Sequence, residues 1–311
     1  MCFFLSLLLI LLLPVNAVSQ LRFAVVSDMQ FAVGNQYNNS NYFLGVCQAI
    51  LPYNIDFIIS CGDNCPPDSV LWTIQQVFDP AILWFPCIGN HEMESFAFKD
   101  QLNTIIRKLP GIWIGFKPSV YSFDRGSVHF SVIDVYQKNN DGNIYNELYN
   151  WLEYDLRSTK QPIKLVIGHE PAFVFPDEDC DRVRHEGTSL DEYPANRDRF
   201  WILLQQYQVT AYLCGHTHNY SAREIDGIWQ INCGHSRGEM DTGAPSMFVI
   251  IDIYNNVETI HELFLRYTVY RDTHDGNYDY QDIIHSFEIK IGTNDTIAPD
   301  APVNLQLKKI D

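Results

Sequence analysis

Pro86-Cys87-Ile88-Gly89-Asn90-His91-Glu92 stands between two segments of opposite periodicity. Before it, Ala81-Ile82-Leu83-Trp84-Phe85 is a bulky apolar run, too short for a helix and suited to a buried strand. After it, Ser95 to Lys108 carries Phe96, Phe98, Leu102, Ile105 and Ile106 at roughly helical spacing. Gly89-Asn90-His91-Glu92 is therefore placed on a strand-to-helix turn, where open α/β sheets hold their ligands. Gly89 permits a tight backbone, Asn90 offers an amide oxygen and His91 an imidazole. Taken alone, the tetrapeptide is equally a solvated turn, because short motifs recur by chance.

Four more apolar runs end in residues of metal-ligand type. Phe23-Ala24-Val25-Val26 runs into Ser27-Asp28-Met29-Gln30, and Phe57-Ile58-Ile59 into Cys61-Gly62-Asp63-Asn64. Leu165-Val166-Ile167 runs into Gly168-His169-Glu170-Pro171, and Ala211-Tyr212-Leu213-Cys214 into Gly215-His216-Thr217-His218. In this order the blocks resemble those of the calcineurin-like metallophosphoesterases: D-x-H, G-D, G-N-H-[DE], G-H and G-H-x-H. The resemblance runs from about Leu21 to Ile291. Five blocks in order are specific where each alone is weak.

The resemblance implies a four-layer α-β-β-α sandwich of two mixed sheets, with a dimetal site at the sheet edge. It implies Asp63 as the bridging ligand. Asp28, Gln30 and His218 complete the first metal position, and Asn90, His169 and His216 the second. Paired divalent ions clamp a phosphoryl group and activate a water. His91 then contacts the phosphate and protonates the leaving oxygen, with Asn90, His185 and Arg237 as further substrate contacts. Glu92, Glu170 and Asn219 are candidates for orienting ligand histidines from behind. For His235 an ordinary structural hydrogen bond is the favoured assignment, and for Arg237 an ion pair with surface acids is an equal alternative to substrate contact.

The implied enzyme is an exported dimetal phosphoester hydrolase. The alternatives are a phosphodiesterase or pyrophosphatase acting on nucleotides or lipid head groups, and a non-catalytic surface-binding module. The cofactor is a pair of Mn, Fe, Zn or Mg ions. Gln30 stands where many members have His, and its amide oxygen favours Mn²⁺ or Mg²⁺. A D-x-Q branch of the family includes manganese-dependent nucleoside-diphosphate-type hydrolases. Asn64, Cys65, Pro66 and Pro67 follow Asp63, where purple acid phosphatases place a tyrosine. A Tyr-ligated ferric site is not expected, and the likeness of Gly-His-Thr-His-Asn-Tyr to that branch reads as local.

Composition agrees with an acidic globular chain. Its 311 residues are 46% hydrophobic and carry a formal charge of −17, with pI about 4.8. That charge excludes general nucleic-acid binding and requires a local positive field at any phosphate site. The substrate expected is a phosphorylated small molecule or head group. Residues 1–17 read as a signal peptide: an uncharged apolar stretch from Cys2 to Leu13, then Pro14 and Val15-Asn16-Ala17. After cleavage the mature chain has no stable membrane span and is secreted or periplasmic; a retained membrane anchor is the alternative, although the apolar run is short for a span. The catalytic domain is expected over 18–292. Residues 293–311 read as a linker and the start of a fibronectin type III-like module, or as a plain tail.

Seven of the eight cysteines lie beyond the leader, and no disulfide framework is expected. Tyr42–Leu51, Ser69–Phe78 capped by Asp68, Asn146–Arg157 and 197–207 read as helices, and 121–133 as a hairpin. Trp229–Cys233, Met247–Ile253 and Val257–Leu265 read as strands. Gly34–Asn41 and Phe175–Asn196 are polar loops expected near the site, the second either a lid bearing Arg184 and His185 or a surface loop with its own ion pairs.

Overall fold

The structure, a computed structural model, describes residues 20–30, 40–136, 142–237, 244–255, 262–272 and 282–291. The proposed leader, most of the Gly34–Asn41 loop and the 293–311 tail lie outside the described residues.

Two sheets face each other. In the first, β1 (Leu21–Val26), β2 (Phe57–Ser60) and β3 (Leu83–Pro86) run parallel. β11 (Met247–Asn255), β12 (Leu263–Arg271) and β13 (Asp282–Ile291) extend it antiparallel, giving the order β13-β12-β11-β1-β2-β3. The second sheet comprises β4 (Ile112–Ile114), β5 (Tyr121–Arg125), β6 (Val128–Val132), β7 (Ile163–Ile167), β8 (Ala211–Cys214), β9 (Tyr220–Ile225) and β10 (Ile228–Cys233). Its order is β4-β5-β6-β7-β8-β10-β9, with β6, β7, β8 and β10 parallel.

Alternate residues of both sheets meet in an aromatic seam. Phe85 stacks on Phe123 at 3.9 Å, Phe123 on Phe130 at 4.6 Å, and Phe57 meets Phe130 edge-on at 5.7 Å. All are essentially excluded from solvent, and each contributes about 1.5–3 kcal/mol of burial.

Helices cover the outer faces. α1 (Ser40–Ile50), α2 (Pro67–Val77) and α4 (Phe96–Ile106) pack beside one another over the first sheet. α5 (Asn146–Ser158) lies on β6 and buries Leu148, Leu152 and Leu156 at fourfold spacing. α6 (Pro194–Gln206) sets Phe200 and Trp201 against Tyr212 of β8. The four-layer α-β-β-α arrangement follows.

Some expectations move. Asp68 does not cap α2: Pro66 is the N-cap residue and Pro67 the first helical residue, whose missing N–H needs no partner. Asp68 falls inside the first turn, where its charge suits the helix dipole. A four-residue turn, α3 (Asn90–Met93), precedes α4. The strand expected from Val257 begins at Leu263, its first residues lying outside the described set. Among the described residues seven cysteines are free thiols, six buried and Cys180 exposed.

A candidate dimetal centre

The C-terminal ends of β1, β2, β3, β7 and β8 meet at one edge of the sandwich. Four residues leave these strands with left-handed backbones: Asp28 (φ 52°), Asp63 (φ 55°), His216 (φ 70°) and His218 (φ 58°). None is glycine, and such conformations persist only where the surroundings impose them, most often at functional sites. The restraints are visible. Asp28 Oδ2 accepts from Ser27 Oγ at 2.6 Å and from the His216 amide at 2.9 Å. Asp63 Oδ1 accepts from the His91 amide at 3.0 Å. Gly89 lies so close to Asp63 that a Cβ would sit 2.1 Å from Oδ1 and 2.4 Å from the backbone nitrogen. Gly215 is as tight against Ser27 and Asp28.

Two groups of donors result, and Asp63 belongs to both. Around Asp63 Oδ1, His169 Nε2 lies at 3.5 Å, and Asn90 Oδ1 is 3.1 Å from both His169 Nε2 and His216 Nδ1. On the side of Asp63 Oδ2, the Gln30 amide is 3.5 Å away and 3.3 Å from His218 Nε2, which is 3.2 Å from Asp28 Oδ1. Metal–ligand bonds of about 2.1 Å place neighbouring ligand atoms about 3.0 Å apart in an octahedron and about 3.4 Å in a tetrahedron. The separations are those that two such ligand shells sharing the Asp63 carboxylate would have. Asp28, Asp63 and His169 bring their ligand atoms within 4.8 Å of one another. His216 Nε2 is buried without a hydrogen-bond partner among the described residues, and Asp28 Oδ1 has only the His218 ring beside it. The amide atom Gln30 turns inward is assigned as nitrogen; a half-turn about its last torsion presents the oxygen instead. The residues present therefore fit a pair of divalent ions.

The electrostatics agree. Burial pushes Asp28 and Asp63 upward, but the His218 imidazole beside Asp28 and the His169 imidazole beside Asp63 outweigh it and hold both below the usual carboxylate range. Burial alone would lower His169, yet Asp63 and then Asp28 raise it to about 10. Two buried carboxylates demand positive charge, and without metal a proton on His169 supplies part of it. Burial, with the charge on His169, keeps His216 well below its usual value.

The rest of the expected set is gathered at the mouth. His91 is half-buried, its Nδ1 2.9 Å from Glu94 Oε1 and its Nε2 3.8 Å from Asp63 Oδ2. Arg184 and Arg237 place guanidinium nitrogens 2.7 Å and 2.9 Å from His218 Nδ1. A guanidinium only donates, so Nδ1 accepts and Nε2 carries the ring proton in the metal-free form. His185, also left-handed (φ 58°), sets its ring centroid 4.2 Å from that of His216, the planes tilted by 32°. His235 is held structurally, Nε2 2.9 Å from the Ala244 carbonyl oxygen.

The residues expected to orient histidines do other work. Glu92 accepts the backbone amides of Asp63, Asn64 and Gly89, tying the second and third loops together. Burial, then Asp63, push its carboxyl up to about 8. Asn219 accepts from Arg182 Nε at 2.7 Å. Burial pushes the Glu170 carboxyl up to about 7, and among the described residues it bonds no ligand histidine, whereas His169 Nδ1 faces the Cys61 carbonyl oxygen at 2.7 Å. The 175–196 loop is fastened at both ends of its first half. Arg182 Nη2 donates to the His218 carbonyl oxygen, and buried Asp177 pairs with buried Arg271 of β12 at 2.9 Å. Neither Asp177–Arg271 nor His91–Glu94 was singled out from sequence; the three-residue spacing of the latter on a helical turn was the available signal.

A calcineurin-like phosphoesterase family model matches residues 21–220. Purple acid phosphatase 21 of Arabidopsis thaliana is 24% identical over 208 residues, covering 62% of this chain and 44% of that protein. The likeness to that branch thus extends well beyond the Gly-His-Thr-His loop, and the chain spans less than half of that relative's length. Among solved structures, GAP50, the anchor in the inner membrane complex of Plasmodium, superposes with a TM-score of 0.62 at 16% identity, covering 91% of this chain and 92% of that one. A dimetal phosphatase from Danio rerio gives a TM-score of 0.58 at 13% identity, covering 89% of this chain and all of the other. Two mixed sheets, five loops of candidate ligands at one edge and a family model matched over residues 21–220 make one conclusion: this chain belongs to the calcineurin-like phosphoesterase family.

Proposed function

We propose that the chain is a dimetal-dependent phosphoester hydrolase. The observation that carries the reading is the double role of Asp63, whose two oxygens face two separate donor groups 3.5 Å away on either side. When bound, a divalent pair supplies Lewis-acid polarisation of the phosphoryl group and a hydroxide-like nucleophile at neutral pH. Asp28, Gln30 and His218 would hold one ion, Asn90, His169 and His216 the other, and Asp63 both. The chain's own part is placement and proton handling. His91 hydrogen-bonds Glu94 through Nδ1, leaving Nε2 on the Asp63 side, where it can give a proton to a departing oxygen. A positioned acid of this kind supplies about 10²–10⁴-fold. Arg184, Arg237 and His185 ring the mouth and bind phosphoryl oxygens, countering the acidic surface.

The finer reading is an exported enzyme using Mn²⁺ at the Gln30 position, on a phosphorylated small molecule or head group. Among the described residues no helix is long and apolar enough to cross a membrane. The fold alone does not compel catalysis, since an anchor protein shares it. The filled donor set favours the enzyme. The test is hydrolysis of p-nitrophenyl phosphate and its bis-ester with Mn²⁺, Fe²⁺, Zn²⁺ or Mg²⁺ added, with metal counted per chain. About two ions and chelator-sensitive turnover are expected; no turnover of either ester with both positions filled refutes the reading. The bis-ester ratio separates monoesterase from diesterase.

A further inference from the structure

The outer face of β4, β5 and β6 departs from what a sheet under a helix normally shows. Strand alternation puts Phe123, Phe130 and Val132 into the core between the sheets. The opposite face carries Trp113, Ser122, Asp124, His129 and Ser131, in register across the three strands. α5 covers this face, and an apolar seam is the ordinary result. Here a polar chain fills part of it instead. His129 Nδ1 is 2.6 Å from Asp124 Oδ1 and its Nε2 is 3.0 Å from Asp155 Oδ2 of α5. Ser122 and Ser131 each donate to Asp155 at 2.6 Å, and Gln161 donates to Asp124 at 3.1 Å.

This network contributes little to stability that packed apolar residues would not also give. It forms the floor of a cavity of about 690 Å³, within the size range of small-molecule sites. The walls are aromatic: Trp113, Trp151 and Tyr154. Trp113 and Tyr154 remain 59% and 62% exposed, although both are bulky side chains next to a core. Trp151 is seated on Gly115, where a Cβ would meet its Nε1 at 2.6 Å, so the wall is preformed. The cavity is remote from the metal centre. It lies towards the β5–β6 turn, where Val128 pairs with Ile163 at the start of β7, whereas His169 follows the far end of β7.

Charge selects the ligand. Each nitrogen of His129 faces a carboxylate, so both donate and the ring is an imidazolium. Burial lowers its pKa, but Asp155 and Asp124 outweigh burial and raise it. With Lys160 in the wall, two positive charges balance Asp124 and Asp155. Aromatic walls with unbalanced carboxylates would suit a quaternary ammonium; a neutral site does not. Flat aromatic faces beside planar carboxylate and amide groups match a sugar ring, apolar on its C–H faces and hydroxylated at its rim.

We propose that this cavity is a saccharide-binding site, separate from the metal centre and independent of the activity proposed for it. The test titrates the full chain with methyl glucoside, methyl mannoside, N-acetylglucosamine and their trisaccharides, following tryptophan fluorescence. Concentrations reach about 20 mM, enough to fill a millimolar site. Saturable binding of at least one saccharide is expected. It should weaken about tenfold in Trp113→Ala and in Tyr154→Ala, both exposed positions that folding tolerates, and persist in Asp63→Asn. The proposal is overturned by no saturable binding, by binding that both aromatic variants leave unchanged, or by tetramethylammonium binding in place of the sugars. A dimer that Trp113→Ala dissolves would mark a copy interface and overturn it too.

Discussion

Gly89→Ala isolates close approach from every other effect of adding a methyl group. Gly89 is extended (φ −113°, ψ −177°), so alanine meets no backbone strain there. The new Cβ would lie 2.1 Å from Asp63 Oδ1 and 2.4 Å from the Asp63 nitrogen, whereas ordinary contact begins near 3.4 Å. The Asp63 nitrogen is backbone and cannot rotate away. The second and third ligand loops must therefore part by about 1 Å, although Glu92 clamps them through three amides. Overpacking of this kind costs about 1–3 kcal/mol. Displacing a catalytic group by about 1 Å costs about 10²-fold in rate. The expected protein is folded, melts roughly 2–10 °C lower, holds less than its full metal complement and turns over p-nitrophenyl phosphate at least about a hundredfold more slowly. Gly126→Ala is the control. It sits on the β5–β6 turn at φ 55° with nothing within 4 Å of a new Cβ, so it pays about 1–2 kcal/mol in backbone strain and keeps metal and rate. Full metal content and wild-type turnover in Gly89→Ala would refute the claim that these loops are held at contact distance to place Asp63.

His91→Ala should retain both metals and lose about 10²–10⁴-fold in turnover, with alkyl esters hit harder than aryl esters because aryl oxides leave without a proton; an equal or reversed ester ranking argues against a leaving-group acid. Gln30→His should tighten metal binding at its position and shift preference from Mn²⁺ towards Zn²⁺, read from metal content against free ion; superimposable titrations would mean that Gln30 touches no metal. Arg271→Met should destabilise the fold by about 3–5 kcal/mol, because it leaves the buried Asp177 carboxylate unpaired. Restoring neutrality with Asp177→Asn in the same chain should recover part of that loss, and a double variant as unstable as the single would show that the ion pair is not its source.

The five loops that carry the candidate ligands were legible because each is a local pattern: a short apolar run, then a ligand type at fixed spacing. Topology brought them together without further information, since β1, β2, β3, β7 and β8 all point their C-termini to one edge. What escaped was set by pairing across distance. β4, β9 and β13 are edge strands, and Arg223 and Glu224 break the apolar pattern of β9 because its outer side meets water. Asp177 and Arg271 are 94 positions apart, so nothing local marks them as partners. Glu92 adjoins two ligand-type residues and invited a role beside a histidine. Its carboxylate instead answers three backbone amides, a demand invisible until the loops are folded. The polar layer under α5 was hidden for the opposite reason: Ser122, Asp124, His129 and Ser131 alternate with apolar residues as any solvent-facing strand would.

The proton that His169 carries in the metal-free site makes metal loading a pH-dependent exchange. Its pKa of about 10 lies far above the ordinary histidine value because Asp63 and Asp28 outweigh burial. A raised value means that this group's contribution to folding is fully present below the unfolded value of about 6.5 and is lost as pH climbs through the folded one. Metal-free protein should therefore lose stability between roughly pH 6.5 and 10 on account of this group. A metal ion needs the lone pair on Nε2 and must expel that proton, so apparent affinity rises about tenfold per pH unit over the same window. Ligand binding stabilises by RT ln(1 + [L]/Kd), and each tenfold adds about 1.4 kcal/mol. Mn²⁺ should thus raise the melting temperature over the chelated protein by more at about pH 8 than at about pH 6.5, the gap widening as the chelated form weakens. The measurement is paired thermal unfolding at fixed free Mn²⁺ across that range. A metal-induced shift that stays constant with pH would mean His169 holds no proton for the ion to displace.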